Sequence, residues 1–173
     1  MLDITQIGEA IRTWIESTTG LLCIYSDGMG ARPKGPYLTL KIISADSLGE
    51  GESEATDLPD YTIDVEHSKI YEIQASINAF RGVPFQEISK LVDSLDHTLT
   101  DDHFTSAGLG IGKRSEARSI NEVINKKWEN RAQVDLFFHA RSSSMENIEG
   151  IKQIEITNEI NGSTAEITHP DIS

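Results

Sequence analysis

The chain has 173 residues, of which 15 are Lys or Arg and 28 are Asp or Glu, so its formal net charge is −13. This acidity argues against a protein that wraps nucleic acid tightly, because such binding comes mainly from basic side chains that neutralise phosphates. The apolar runs are short, whereas a membrane-spanning helix needs about 20 apolar residues, so no membrane association is expected.

Two segments have the apolar spacing of amphipathic helices. In residues 3–19 a stripe of isoleucines recurs every three or four positions, Asp3 and Gln6 form a capping pair, and Gly20 is a suitable stop. We expect Trp14, beside this stripe, to lie in or near the core. The second predicted helix, 84–99, begins with a proline, which the first turn tolerates. Its predicted buried stripe consists of Phe85, Ile88, Val92, Leu95 and Leu99.

Other segments are short and apolar or alternate apolar and polar side chains, as strands do. They are residues 21–25, 37–43, 61–65, 71–79, 131–141 and 151–160, and a short stretch at Ala165 and Ile167. A bend is expected at 67–69, an irregular or weakly extended stretch at 101–121, and a loose end from His169. Residues 121–130 have no clear pattern. The two helices are separated by a run of strands, which favours an α+β fold with a mostly antiparallel sheet and helices packed on one face. The length predicts a single domain, 1–173.

One segment, 45–60, contains six acidic residues and no basic residue. The acids are Asp46, Glu50, Glu52, Glu54, Asp57 and Asp60. This composition predicts a mobile loop or the tip of a hairpin. Long loops of this kind are either solvated connections or binding elements. We consider both a solvated loop and an arm that orders against a neighbouring subunit.

A second segment, 112–131, reverses the charge trend, with six basic residues against three acidic ones. The bases are Lys113, Arg114, Arg118, Lys126, Lys127 and Arg131. They form either a solvated face or a surface that meets the acidic segment of an adjoining copy. Complementary patches on one chain suit head-to-tail rings, in which unlike surfaces meet. These six bases and the acids Asp46, Glu50, Glu52, Glu54 and Asp57 are therefore our candidate subunit-interface residues.

The sequence predicts no catalytic, cofactor-binding or metal-binding residues. The glycines at 108, 110 and 112 do not have the spacing of a phosphate-binding loop. The single cysteine, Cys23, lies in an apolar run and is expected to be a buried, unreactive thiol in a reducing compartment. The one dense group of possible metal ligands is His97, Asp101, Asp102 and His103. It leaves open a small metal-dependent hydrolase as an alternative, beside the simpler interpretation that these polar residues follow a helix end.

Three stretches carry a family resemblance. They are residues 11–15 (Ile-Arg-Thr-Trp-Ile), 31–40 (Ala-Arg-Pro-Lys-Gly-Pro-Tyr-Leu-Thr-Leu) and 128–136 (Trp-Glu-Asn-Arg-Ala-Gln-Val-Asp-Leu). Together they resemble the neck or tail-terminator proteins of tailed bacteriophages. The resemblance implies an α+β domain that forms a ring, usually of six copies, which caps the finished tail tube, stops its polymerisation and joins it to the head.

The resemblance also implies partners and a location. The expected partners are further copies of the chain, the tail tube protein, the sheath protein if the tail is contractile, and the head connector protein. DNA would pass through the ring without specific binding. The expected location is the neck of the virion, after assembly in the host bacterial cytoplasm. The alternatives are a connector or stopper bound on the head side and a plain ligand-binding domain.

Overall fold

The protein is described by a computed structural model over residues 2–28, 32–59, 62–124, 127–149, 153–158 and 163–168. Within these ranges it has three helices, α1 (Ile4–Thr19), α2 (Pro84–Ser94) and α3 (Thr98–Ser106). The strands are β1 (Cys23–Tyr25), β2 (Tyr37–Ser47), β3 (Glu52–Asp57), β4 (Thr62–Phe80), β5 (Leu109–Arg114), β6 (Arg118–Ser119), β7 (Glu122–Ile124), β8 (Lys127–Glu129), β9 (Arg131–Glu149), β10 (Gln153–Asn158) and β11 (Ser163–Thr168). In the described ranges, no helix is long and apolar enough to span a bilayer.

Seven strands form one mixed sheet in the order β1-β2-β4-β9-β5, with β3 paired to β4 and β6 paired to β9. Strand β1 runs parallel to β2. Strands β2 and β3 pair antiparallel with β4, and β5 and β6 pair antiparallel with β9. Strands β7 and β8 form one separate hairpin and β10 and β11 another. The predicted α+β class with a mostly antiparallel sheet is confirmed.

The chain forms two compact units, Met1–Glu50 with Lys69–Ser142, and Gly51–Ser68 with Ser143–Ser173. The first unit contains the three helices and the hydrophobic core. The second contains β3, the first residues of β4, the last residues of β9 and the β10–β11 hairpin. The single-domain expectation stays a prediction.

Helix α1 follows the sequence signals closely. The Asp3 carboxylate accepts a hydrogen bond from the Gln6 backbone N–H at 3.0 Å, which satisfies one of the unpaired donors of the first turn. Gly20 closes the helix in the left-handed conformation, with φ of 70°, which glycine adopts without steric cost. Trp14 is buried and its ring lies 5.3 Å from that of Phe104, so its predicted place in the core is confirmed.

The centre of the sheet buries alternate side chains against the helices. On β9 the buried positions are Ala132, Val134, Leu136, Phe138 and Ala140, as predicted. On β4 they include Ile73, Ala75, Ile77 and Ala79. These residues form one core with α1 and α2, through residues such as Ile11 and Ile88. Burial of the larger of these side chains, those of Val, Leu, Ile and Phe, contributes about 1.5–3 kcal/mol each and fixes which face of the sheet the helices cover.

The predicted second helix, 84–99, is wrong in length. Helix α2 ends at Ser94, and α3 begins after His97. Phe85 is 48% exposed and Leu99 is 82% exposed, so neither belongs to the core as predicted. The buried positions of α2 include Ile88 and Leu91, which belong to the hydrophobic core.

Three further expectations differ from the structure. Residues 52–57 are strand β3, paired along its length with β4, rather than a loop or the tip of a hairpin. No bend occurs at 67–69, because β4 continues from Thr62 to Phe80 and pairs with β3 at His67 and Ser68. Residues 101–106 are the end of α3 rather than irregular or extended, whereas β5 and β6 in the rest of 101–121 are extended as one alternative predicts. The expected loose end from His169, and Asp60 and Lys126, lie outside the described residues.

Strand β5 explains the glycines that resemble a phosphate loop. Its register on β9 shifts between Ile111 and Arg114, as at a β-bulge. At Gly112 a Cβ atom would lie 2.7 Å from the Phe137 carbonyl oxygen. Glycine is needed there because the two strands approach closely, and packing rather than ligand binding accounts for it.

Candidate functional site

The acids of segment 45–60 are distributed between two compact units. Asp46 lies on β2 opposite Glu72, and Glu50 is exposed after the end of that strand; both belong to the first unit. Glu52, Glu54 and Asp57 lie on β3 in the second unit, and every β3 residue is exposed. The structure therefore places most of this charge on a strand of defined geometry.

One face of the β3–β4 hairpin gathers acids from both strands. Glu54 lies directly opposite Glu66, and Glu52 and Thr56 lie opposite Ser68 and Asp64. Because alternate residues share a face, the side chains of Glu52, Glu54, Asp64 and Glu66 point the same way. We call these four residues the acidic hairpin face. Directly opposed like charges weaken strand pairing, so this arrangement has a cost in the isolated chain.

On the other face of this hairpin, His67 makes polar contacts with two other side chains. The Ser53 hydroxyl and His67 Nδ1 are 2.8 Å apart, and His67 Nε2 lies 3.2 Å from the Glu146 carboxylate. On the acidic hairpin face, the Asn147 amide donates to Asp64 at 2.6 Å. Among the described residues, no cation pairs with Glu52, Glu54 or Asp57. These three carboxylates are exposed to solvent or to a neighbour.

The described bases of segment 112–131 fall into two groups in the first unit. Lys113 and Arg114 lie at the end of β5. The Lys113 ammonium is 3.1 Å from Glu72 and 4.5 Å from the centre of the Phe137 ring, and Arg114 is 3.6 Å from Asp96. Both remain exposed, so these ion pairs contribute only about 0–1 kcal/mol each and leave the cations available to other acids.

The remaining bases occupy different surroundings. Arg118 is exposed on β6, and Lys127 lies on β8. Arg131, at the start of β9, donates to the Asn78 side-chain oxygen at 2.9 Å and lies over the Phe80 ring, 5.3 Å from its centre. Arg131 therefore belongs to an internal cluster, which the charge count along the sequence does not reveal.

That cluster is built around two stacked rings. Tyr37 and Phe80 face each other across β2 and β4, with ring centres 5.0 Å apart and planes 9° apart. Arg32 and Arg131 lie over Phe80, and Arg81 lies over Tyr37 at 5.7 Å. Together with Glu129 these residues form what we call the arginine–aromatic cluster. Contacts of this kind contribute about 0.5–2 kcal/mol each, more when they exclude water.

Glu129 is the acid of the arginine–aromatic cluster. Its carboxylate accepts from Arg81 Nε at 2.9 Å and lies 3.5 Å from Arg32, while Arg81 also donates to the Pro33 carbonyl. Arg81 adopts a φ of 63°, a conformation that is uncommon outside glycine. Burial raises the pKa of Tyr37, so the ring stays neutral. The cluster fixes segment 32–36 against the ends of β4 and β8.

The sequence quoted for the family resemblance contains most of this cluster without revealing it. Arg32 and Tyr37 lie in one of the resembling stretches, and Glu129 and Arg131 lie in another. Their contacts join positions far apart in the chain, with a separation of 97 for the pair Arg32–Glu129 and 53 for the pair Arg131–Asn78. The local periodicity of the sequence cannot predict contacts between residues so far apart.

The possible metal ligands do not converge. His97 caps α3 by its backbone position, without a side-chain hydrogen bond, and His103 Nε2 lies 2.9 Å from the Ala10 carbonyl oxygen. Asp101 and Asp102 are exposed on α3. In the described part of the chain, no three His, Cys, Asp or Glu side chains are arranged to hold a metal ion. The four residues named for the metal-dependent hydrolase alternative are therefore not arranged as a ligand set in the described structure.

A shallow cavity of about 370 Å³ lies between α1 and β1, but its polar groups are paired with one another. Arg12 contacts Glu9 at 2.7 Å and Glu16 at 3.5 Å, and the Tyr25 hydroxyl donates to Glu9 at 2.8 Å. Burial raises the pKa of the Cys23 thiol to about 12. A protonated, buried thiol is a poor nucleophile. The predicted burial of Cys23 is confirmed, whereas the reducing compartment stays a prediction.

Comparison with known proteins gives one family. A family model described as "Phage neck terminator protein" matches residues 5–163 of the chain. No curated protein sequence matches it. Among solved structures, a chain from the "Virion of native gene transfer agent (GTA) particle" is similar at 13% identity and a TM-score of 0.30, covering 81% of this chain and 95% of that chain.

Proposed function

The chain belongs to the phage neck terminator protein family, and from that membership we propose that it forms a ring of six copies that caps the finished tail tube. The ring stops polymerisation of the tube and offers a surface to the head connector protein. It also contacts the sheath protein if the tail is contractile. The observation that carries this proposal is the family match, which extends over residues 5–163.

Family membership makes this a structural protein of the virion neck that associates with other virion proteins. We propose that it has no enzymatic role. The thiol of Cys23 is buried and protonated, and the described His and Asp side chains do not form a metal site. We propose assembly in the bacterial cytoplasm, where a single buried thiol stays reduced.

The ring would let DNA pass without holding it. A net charge of −13 gives the protein a negative field that repels a polyanion and keeps the free subunit soluble before assembly. Copies would meet through unlike surfaces, the acids of 46–57 on one copy and the exposed bases Lys113, Arg114 and Arg118 on the next. Such contacts are head-to-tail, and repetition with a closing rotation gives a ring.

The experiment is a deletion of the gene in its phage, with tails and heads imaged by electron microscopy. Loss of a terminator gives overlong or headless tails, and supplying the wild-type protein restores normal length. Full heads that leak DNA beside tails of normal length would instead assign the protein to the head side, as a stopper. Deletion with normal tails and intact virions would contradict both roles.

A further inference from the structure

We propose that neighbouring copies join by strand addition, with the open edge of β3 in one copy pairing with the open edge of β5 in the next. This inference rests on the proposed ring and names the backbone contact that closes it. The acidic strand and the basic strand are each at an edge of the sheet, and each has unpaired backbone groups to offer.

Strand β3 has one strand neighbour among the described residues, which is β4. The Leu58 N–H donates to the Thr62 carbonyl at 2.9 Å, which continues the β3–β4 register. In an antiparallel pair, bonded and non-bonded positions alternate. Glu54 and Thr56 therefore bond to β4, whereas the N–H and C=O groups of Ser53, Ala55 and Asp57 point to the open edge.

Strand β5 is the last strand at its end of the sheet order, and β9 is its one strand neighbour within the described ranges. The Ser115 N–H donates to the Asp135 carbonyl at 2.8 Å, so the preceding residue, Arg114, occupies a position whose amide points away from β9. Gly110 is exposed, and glycine allows the close approach of another backbone. Exposed strand edges are templates for a further strand.

Charge decides which edges meet. Pairing β3 with a second β3 would bring two sets of Glu52, Glu54 and Asp57 close together, and neighbouring like charges destabilise strand pairing. Strand β5 ends in Lys113 and Arg114, whose partners within the chain are the partly exposed Glu72 and the exposed Asp96. Exchanging such weak exposed pairs for acids of the next copy has little cost. Pairing of the β3 edge with the β5 edge of the next copy is therefore favoured over pairing of two β3 edges, and the contact is head-to-tail.

The first test replaces a residue whose amide faces the open edge. Ala55→Pro removes an N–H that bonds to nothing in β4, and proline is tolerated on edge strands, so the fold is retained. Ala55→Val is the matched control, because it keeps the amide. Association is measured by analytical ultracentrifugation of the full chain, alone and with purified tail tubes. We expect Ala55→Val to assemble like the wild type and Ala55→Pro to associate at least about tenfold more weakly, or about 1.4 kcal/mol.

The outcomes separate the two proposals. Rings of Ala55→Pro that are as stable as those of Ala55→Val would overturn strand addition and leave the ring intact. Wild-type protein that forms no ring, either alone or on tubes, would overturn the proposed function together with this inference. Circular dichroism and thermal unfolding of each variant confirm that the subunit is folded before association is compared.

The second test exchanges the charges of the two edges. The variants are Glu52→Lys with Glu54→Lys, and Lys113→Glu with Arg114→Glu. Each alone opposes like charges and is expected to remain monomeric. An equimolar mixture restores acid–base contacts when the two variants alternate around a ring with an even number of copies. A mixture that associates no better than either variant alone would overturn the pairing of β3 with β5.

Discussion

The most informative single substitution is Glu129→Gln, because Glu129 is the carboxylate of the arginine–aromatic cluster that pairs with both Arg81 and Arg32. Its side chain is only 12% exposed, whereas Arg81 and Arg32 are 35% and 58% exposed. Breaking a fully buried ion pair costs about 3–5 kcal/mol, and breaking an exposed pair about 0–1 kcal/mol. The partly exposed arginines place this pair between the two limits, so we expect a loss of about 2 kcal/mol in the free energy of unfolding.

Helix α2 offers a matched control. Glu87 is also 12% exposed and lies 2.9 Å from Lys90, but its partner is three residues away on the same helix. Such a pair contributes about 0.2–0.5 kcal/mol, and the position of Glu87 in the first turn adds about 0.3–1 kcal/mol. Glu87→Gln should therefore lose clearly less stability than Glu129→Gln.

The assay is urea and thermal unfolding of both variants and the wild type, followed by circular dichroism. For a chain of this size, 2 kcal/mol corresponds to a fall in Tm of about 4–8 °C. The difference between Glu129→Gln and wild type should narrow at high salt, because the arginines are partly exposed and screened. Equal losses for the two variants would refute the conclusion that the arginine–aromatic cluster depends on its buried carboxylate.

Three further predictions concern the first unit. Phe138 is fully buried, with its ring centre 4.9 Å from that of Phe104, so Phe138→Ala should lower the free energy of unfolding by about 3–5 kcal/mol. The neighbouring Phe137 is half-buried on the other face, and Phe137→Ala should lower it by less. Equal losses in urea unfolding would contradict the assigned faces of β9. Asp3→Ala should cost about 1 kcal/mol of stability through the lost N-cap bond, whereas Asp3→Asn should retain most of it. Burial raises the pKa of Cys23 from 9.0 to about 12, so the folded chain keeps a proton that the unfolded chain loses. Its contribution to stability is therefore full below about pH 9 and is lost as the pH rises from 9 towards 12. Cys23→Ala should show a smaller decline of unfolding free energy over that range, and an unchanged decline would count against the buried thiol.

Local periodicity predicts the elements whose environment is set by one face. The alternation of 131–141 gives the buried face of β9 because every second side chain meets the core. The capping pair of Asp3 and Gln6 gives the start of α1 for a similarly local reason. In both cases the signal lies within a few neighbouring residues.

Where tertiary contacts decide, the sequence is less informative. The break between α2 and α3 has neither glycine nor proline, and Leu99 continues the apolar spacing while lying at the surface. Residues 67–69 stay extended because β3 pairs with β4 there and Ser53 contacts His67. Strand β3 itself is acidic and exposed, so its composition resembles that of a solvated loop.

The sequence predicts which segments of the candidate interface are charged, but not how their side chains are arranged on the strands. Counting along the chain finds the acids of 45–60 and the bases of 112–131. It does not show that Glu52 and Glu54 share a face with acids of β4. Nor does it separate Arg131, which packs on Phe80, from Lys113 and Arg114 at a strand edge.

The central claim is that these surfaces serve assembly between identical copies. Negative-stain imaging of the purified protein, at high concentration and low salt and with or without tail tubes, tests it most directly. We predict annular particles of uniform diameter, free in solution or seated on the ends of tubes. Single subunits under both conditions, with tube ends left bare, would contradict the account.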